Sequence, residues 1–415
     1  MKVKTQKIAA VLMAGVFLLA YPVWAQGAVQ ALGAIDTSYY TPSGSTEPYP
    51  NPQAAGRVRN VILLIGDGMG LSEVTLARLV AGGATGKLYM ERFPVTGIVL
   101  NDAANALVTE SAAAATALAG GMKTQKGMLG LAPEGGRLLN LPEAAQQKGM
   151  GTGLVVTGSL SEATPAGFAV HIPDRGEELE IALAMSQSGI DVLLGGGRSC
   201  WVPETAAGGE RKDGRDLTAE LGGRGYGVLR NAEELTAAQG SRLLGLFAEG
   251  AMTTLSPEPS LEAMTVKAIE TLGKNKKGFF LMAEGSQIDW AGHQNNAEKL
   301  VRQVLLFDRA VKAALEFAEK DGATLVIVTA DHETGGLVLL DGELSGKAMK
   351  VSWATKGHTP TPVMLYAFGP GSPTFTGVQH QEEVSRKIAK VLGITDFPKV
   401  SFEAPASGAA VQKAK

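Results

Sequence analysis

The stretch "NVILLIGDGMG", Asn60 to Gly70, decides the fold. Its apolar run "VILLIG" (61–66) has no polar alternation, so a strand built from it must be covered on both faces. That is the pattern of an inner strand in a parallel sheet with helices above and below. The run ends on Gly66, Asp67 and Gly68, which delivers a carboxylate just past the strand's carboxyl end. In open α/β sheets, that edge is where ligands gather.

Five further runs of the same kind follow: "GTGLVVTG" (151–158), "DVLLGGG" (191–197), "GFFLMAEG" (278–285), "ATLVIVTA" (323–330) and "PVMLYAFG" (362–369). Helical patterns separate them. From Glu298 to Asp321, Leu300, Val304, Phe307, Val311 and Leu315 form one apolar stripe, which predicts a helix between two strands. The fold class is α/β, a three-layer α/β/α sandwich around a largely parallel central sheet. Residues 57–395 read as a single catalytic domain. Within it, 200–260 is rich in Gly and charge with weak periodicity, a candidate peripheral lobe.

The ends read differently. Lys2, Lys4 and Lys7, then "IAAVLMAGVFLLA" and "VWA" before Gln26, form an export signal over residues 1–25. The apolar part is short for a membrane span, and no cysteine stands at the cleavage point to carry a lipid. A periplasmic or extracellular protein without a membrane anchor is expected. Residues 26–56, rich in Pro, Ser, Gly and Thr, predict an extended or disordered arm, and 396–415 a flexible tail.

A formal charge of −3 gives no electrostatic case for nucleic acid. Cys200 is the only cysteine, so no intrachain disulfide can form and a cysteine-based metal site is not expected. Any metal must be held by oxygen and imidazole.

The strand ends supply such groups. The first delivers Asp67, the "LMAEG" strand Glu284, and "VIVTADHETGG" both Asp331 and His332. Like charges at one edge repel or protonate unless a cation joins them. In "SQIDWAGHQNN", Asp289 and His293 lie four apart, on one face of a helical turn. His358 stands immediately before another strand. Of the five histidines, His171 and His380 read as structural or surface residues. Mixed Asp and His ligation favours zinc at two positions. Asp67, Glu284 and the hydroxyl of Thr164 in "SEATPAG" make an all-oxygen candidate that suits magnesium. In "TESAAAATALAGG", Ser111 heads an alanine-rich helix, either as an ordinary N-cap or as a nucleophile where orphan N–H groups favour an anion.

Taken in order, "IGDGMG", "TESAAAATALAGG", "SEATPAG" followed by Arg175, "LLGGGR", "AEGSQIDWAGH", "TADHETGG" and "GHTPTPV" closely resemble the alkaline phosphatase family from Asn60 to about Leu392. The resemblance implies an exported phosphomonoesterase acting on small phosphate monoesters, with two zinc ions and one magnesium. By that resemblance, Ser111 is the nucleophile that becomes transiently phosphorylated. Asp289, His293 and His358 hold one zinc; Asp331, His332 and a bridging Asp67 hold the second. Asp67, Thr164 and Glu284 hold magnesium, and Arg175 clamps the phosphate oxygens. The family also suggests a homodimer.

This chain departs from the usual pattern in places. Glu110 stands where an aspartate usually holds the arginine. Trp290 and Glu162 occupy positions that vary among subgroups. Trp290 replaces the lysine or histidine of some members, which implies a missing water-mediated contact to phosphate or else an aromatic lid or packing residue. Glu162 implies support to the magnesium waters. Only residues 333–357 lie between His332 and His358, which implies a reduced crown insertion. The rival readings are a metal-dependent phosphodiesterase on the same scaffold and a non-catalytic phosphate- or metal-binding protein. The complete ligand set with Ser111 speaks against the second.

Overall fold

Uniformly apolar segments find partners on both sides by pairing with one another, and the six apolar runs do so here within one ten-stranded sheet. The computed structural model describes residues 28–52 and 54–402; the predicted leader lies outside them, as does the tail beyond 402. In chain order the strands are β1 (Asn60–Gly66), β2 (Val95–Leu100), β3 (Gly151–Ser159), β4 (Val192–Gly196), β5 (Gly227–Leu229), β6 (Leu243–Leu246), β7 (Phe279–Gly285), β8 (Thr324–Ala330), β9 (Val363–Phe368) and β10 (Gly377–His380). Their spatial order is β10-β2-β9-β8-β1-β7-β3-β4-β6-β5. Neighbours pair in parallel except at β9, which runs antiparallel to both β8 and β2. Each of the six apolar runs became a strand, and β1, β3, β7 and β8 are buried along their whole length.

Among the helices around the sheet are α1 (Leu71–Gly82), α2 (Ser111–Gly120), α3 (Ala163–Gly167), α4 (Leu261–Leu272), α5 (Gln287–His293), α6 (Ala297–Asp321) and α7 (Gln381–Val391). Helix α6 is the predicted amphipathic one. Asn296 caps it by accepting from the Lys299 N–H at 3.0 Å, and its apolar stripe is buried. Helices α1, α4 and α5 pack against α6, while α2 packs against both α3 and α7.

Two predicted segments took definite form. Residues 200–260, the candidate peripheral lobe, supply β5 and β6, which extend the central sheet at its edge. Their short apolar runs suit an edge, which needs less length than an inner strand. The arm is laid along the body. Gln30–Ala31 pairs with Lys350–Val351, and Lys350–Trp353 pairs with Leu337–Asp341, so the short stretch between His332 and His358 forms a hairpin joined by the arm. Farther along, the Tyr40 hydroxyl donates to Asp308 on α6 at 2.6 Å, with Tyr40 buried. Among the described residues no helix is long and apolar enough to cross a membrane.

Candidate functional site

Register brings the carboxylates together. Gly66 lies opposite Gly285 on one side and Ala330 on the other, so Asp67 and Asp331 leave the sheet level with each other and Glu284 sits one residue inside. Gly68 turns the chain with φ +70°, and a Cβ there would stand 2.7 Å from Thr334 Oγ1 and 2.8 Å from Asp289 Cα. Both the conformation and the close approach require glycine.

The first cluster is Asp289, His293 and His358. Asp289 and His293 are one turn apart on α5, as their spacing predicted. His293 Nε2 lies 3.3 Å from Asp289 Oδ2, His358 Nε2 lies 3.4 Å from Asp289 Oδ1, and the two Nε2 atoms are 3.2 Å apart. Each ring also points Nδ1 at a backbone carbonyl, His293 at Lys356 and His358 at Thr109. A carbonyl only accepts, so Nδ1 carries the hydrogen and the Nε2 lone pairs converge with the carboxylate. Hydrogen bonding to Asp289 pushes His293 up to about 9. Adding protons to both rings would set two N–H groups against each other, whereas one shared cation satisfies all three ligands. The donor set fits zinc.

The second cluster is deeper. His332, fully buried, has Nε2 at 3.2 Å from Asp331 Oδ2 and 3.5 Å from Asp67 Oδ1. Burial lowers its pKa, which keeps the imidazole neutral and able to ligate. Asp331 Oδ1 accepts from the N–H groups of Gly68 and His332, at 3.0 and 2.9 Å. Asp331 Oδ2 and Asp67 Oδ1 are buried without hydrogen-bond partners. Burial, then the charges of Asp331, Asp289 and Glu284, drive Asp67 well above the ordinary carboxylate range. A bound cation reverses that balance.

The all-oxygen group follows the same logic. Thr164 Oγ1 and Glu284 Oε2 are also buried without partners. Burial and the charge of Glu162 push Glu284 up to about 8, and Glu162 itself rises to about 7 through burial and Glu178. Orphaned oxygens of this kind are costly in a folded chain unless something binds them, and hydroxyl plus carboxylate suits a hard divalent ion.

Ser111 stands beside these groups, with Oγ 3.3 Å from His332 Nε2. The N-cap of α2 is Glu110 rather than Ser111, which is the first helical residue. Glu110 Oε1 accepts from the N–H groups of Ala113 and Gly127, and Oε2 from Ala112 N–H and Arg175 Nη1, the last at 2.6 Å. Four donors saturate the carboxylate, so one side chain starts the helix and tethers the guanidinium. The extra methylene relative to aspartate does not break the link. Arg175 is also held by its own N–H, which donates to Gly127 O at 2.9 Å. The alanines let α3 approach: a Cβ on Gly167 would stand 2.8 Å from Ala115 Cβ.

The remaining expectations are placed as follows. Trp290 is half-buried on α5, with Lys299 Nζ 6.0 Å from its ring centre. Glu162 precedes α3 and lies within reach of Glu284's charge. His171 bridges Gly130 O and Glu143, and His380 begins α7, both away from the clusters. Cys200 is buried and unpaired. Sequence reasoning passed over Thr334, whose hydroxyl donates to Asp289 Oδ1 and lies 3.2 Å from His332 Nδ1. It stands inside the "DHETGG" motif, but its side chain has no chemistry of its own to mark it.

Comparison with known proteins identifies the family. The sequence profile of the alkaline phosphatase family matches residues 58–348. Alkaline phosphatase 4 of Bacillus subtilis is 40% identical, the match covering 82% of this chain and 90% of that protein. The structure of alkaline phosphatase from the Antarctic bacterium TAB5 superposes with a TM-score of 0.76 at 36% identity, covering 82% of this chain and 99% of that one. A variant of the TAB5 enzyme with magnesium bound gives a TM-score of 0.74 at 36% identity, covering 81% and 98%. The chain belongs to the alkaline phosphatase family and is a phosphoric monoester hydrolase.

Proposed function

We propose that this enzyme hydrolyses phosphate monoesters through a phosphoserine at Ser111, with zinc held by Asp289, His293 and His358, a second zinc by Asp331, His332 and Asp67, and magnesium by Asp67, Thr164 and Glu284. When bound, the ions supply Lewis-acid charge that lowers the pKa of the attacking hydroxyl and neutralises the leaving oxygen. Ser111 Oγ gives up its proton and bonds to phosphorus as the ester P–O bond breaks in line, and the departing oxygen takes up a proton and leaves as the alcohol. Water then attacks phosphorus, the P–Oγ bond breaks, a proton from that water returns to Ser111 Oγ, and inorganic phosphate leaves. Arg175, tethered by Glu110, presents its remaining donors to the non-bridging oxygens, where charge builds in the transition state. Those oxygens carry one more charge in a monoester than in a diester, which favours the monoester reading.

The observation that carries this reading is the convergence of the His293 and His358 Nε2 atoms with Asp289, next to a serine 3.3 Å from His332. Magnesium in the TAB5 variant supports the third site. The leader pattern at Lys2, Lys4 and Lys7 supports export to the periplasm or beyond.

The test is turnover of an aryl phosphate by wild type and Ser111→Ala with zinc and magnesium present. Wild type should turn over and Ser111→Ala should lose roughly 1,000-fold or more in kcat. Equal rates for the two would remove the serine from the mechanism.

A further inference from the structure

We infer that Thr334 is a positioning residue that ties the two zinc clusters together, so that the geometry of one sets the other; this rests on the two-zinc reading above. The side chain is fully buried, so water does not compete for it. Its hydroxyl has one hydrogen and two lone pairs. The Asp289 carboxylate only accepts, so the hydrogen goes to Asp289 Oδ1. His332 Nδ1, 3.2 Å away, is therefore the donor to Thr334 Oγ1.

The order of donors runs His332 Nδ1–H to Thr334 Oγ1–H to Asp289 Oδ1. It has two consequences. It fixes His332 in the tautomer whose Nε2 lone pair faces Asp67, Asp331 and Ser111. It also orients the Asp289 carboxylate toward His293 and His358. The backbone of Thr334 reinforces both: its N–H donates to Gly68 O at 3.2 Å, and it pairs with His358 in a two-residue antiparallel ladder. One residue thus touches the segments that carry Asp67, Asp289, His332 and His358. An ion held by either cluster pulls on the Asp289 carboxylate or the His332 ring at the two ends of this chain of donors, so its binding biases the other cluster, which makes metal uptake cooperative.

The experiment is a zinc titration of the metal-stripped full chain against a competing chromophoric chelator, for wild type, Thr334→Val and Thr334→Ser. Valine keeps the shape and removes the hydroxyl; serine keeps the hydroxyl. Wild type and Thr334→Ser should take up two zinc ions in one cooperative step. Thr334→Val should bind about 10- to 100-fold more weakly, in two separated steps, as for other lost partners of metal ligands. Thermal unfolding of the metal-free proteins checks that the variants fold, and Thr334→Ala gives the same readout should valine not be accommodated. Uptake by Thr334→Val that matches wild type overturns the role of Thr334 alone. Absence of zinc uptake by wild type overturns the two-zinc reading and this inference with it.

Discussion

His293 and His358 point their Nε2 atoms at each other across 3.2 Å, while both Nδ1 atoms are committed to backbone carbonyls. Two converging lone pairs beside a carboxylate demand positive charge. Dialysis against a strong chelator should therefore abolish aryl phosphate turnover, and zinc should restore it where magnesium alone does not. His358→Ala should purify with less zinc by elemental analysis. Full turnover in a zinc-free preparation would contradict the assignment.

Arg175 is tethered through one nitrogen and left partly exposed, so its loss should be felt at phosphate more than in the fold. A charge-assisted hydrogen bond is worth about 1.5–3 kcal/mol, so Arg175→Ala should lower kcat/KM about 10- to 100-fold. Inhibition by inorganic phosphate should weaken by a similar factor, with zinc content unchanged. Lysine should rescue only part of this, because it lacks the planar fork. An unaltered phosphate inhibition constant in Arg175→Ala would place the guanidinium outside the binding site.

Glu110 gives a pH signature. Burial raises its carboxyl, but the N–H groups of Gly127, Ala112 and Ala113, with the charge of Arg175, outweigh burial and hold it below its ordinary value. A carboxylate lowered on folding adds stability that is complete above its unfolded pKa and lost as pH falls through the folded one. Wild type should melt above Glu110→Gln at neutral pH, and the difference should shrink below about pH 4. A gap that widens in acid would reverse the sign and refute the account.

Among the contacts that anchor the arm, the bond from Tyr40 to Asp308 has a strength that depends on charge. Burial pushes Asp308 up to about 6, against donors from Tyr40, Met90 and Tyr89. The ionised form is the one that gains most from the Tyr40 hydroxyl. Tyr40→Phe should cost about 1.5–3 kcal/mol at neutral pH in urea unfolding. Because a raised carboxyl pKa makes the folded state hold its proton longer, the cost should fall once pH drops below the folded value. Equal costs at pH 7 and pH 4 would mean that the bond is not to a charged Asp308.

Much of this was legible in the sequence because the signals were chemical and local. The inner strands announced themselves through unbroken apolar runs such as Val61–Ile65. Asp67, Asp331 and Glu284 could be placed at one edge because parallel strands present their carboxyl ends together. The antiparallel course of β9 was not legible, since an inner strand is equally apolar in either direction. Strand β2 was missed because Thr96, Gly97 and an exposed Ile98 interrupt its pattern. Of the two readings of Ser111, the N-cap falls to Glu110, which the sequence does not mark because serine is the commoner cap and Glu110 serves through its reach to backbone amides and Arg175. Thr334 was silent for another reason: its importance lies in which two groups flank it, and only the folded chain brings them there.

Helix α2 has no solvent face; every residue from Ser111 to Gly120 is buried. The Ser111 hydroxyl is thus carried by the interior itself rather than by a peripheral loop. Loosening of outlying segments leaves its aim untouched, and it goes astray only when the whole body gives way. On warming, the catalyst should hold its turnover until the cooperative melt and then lose it abruptly.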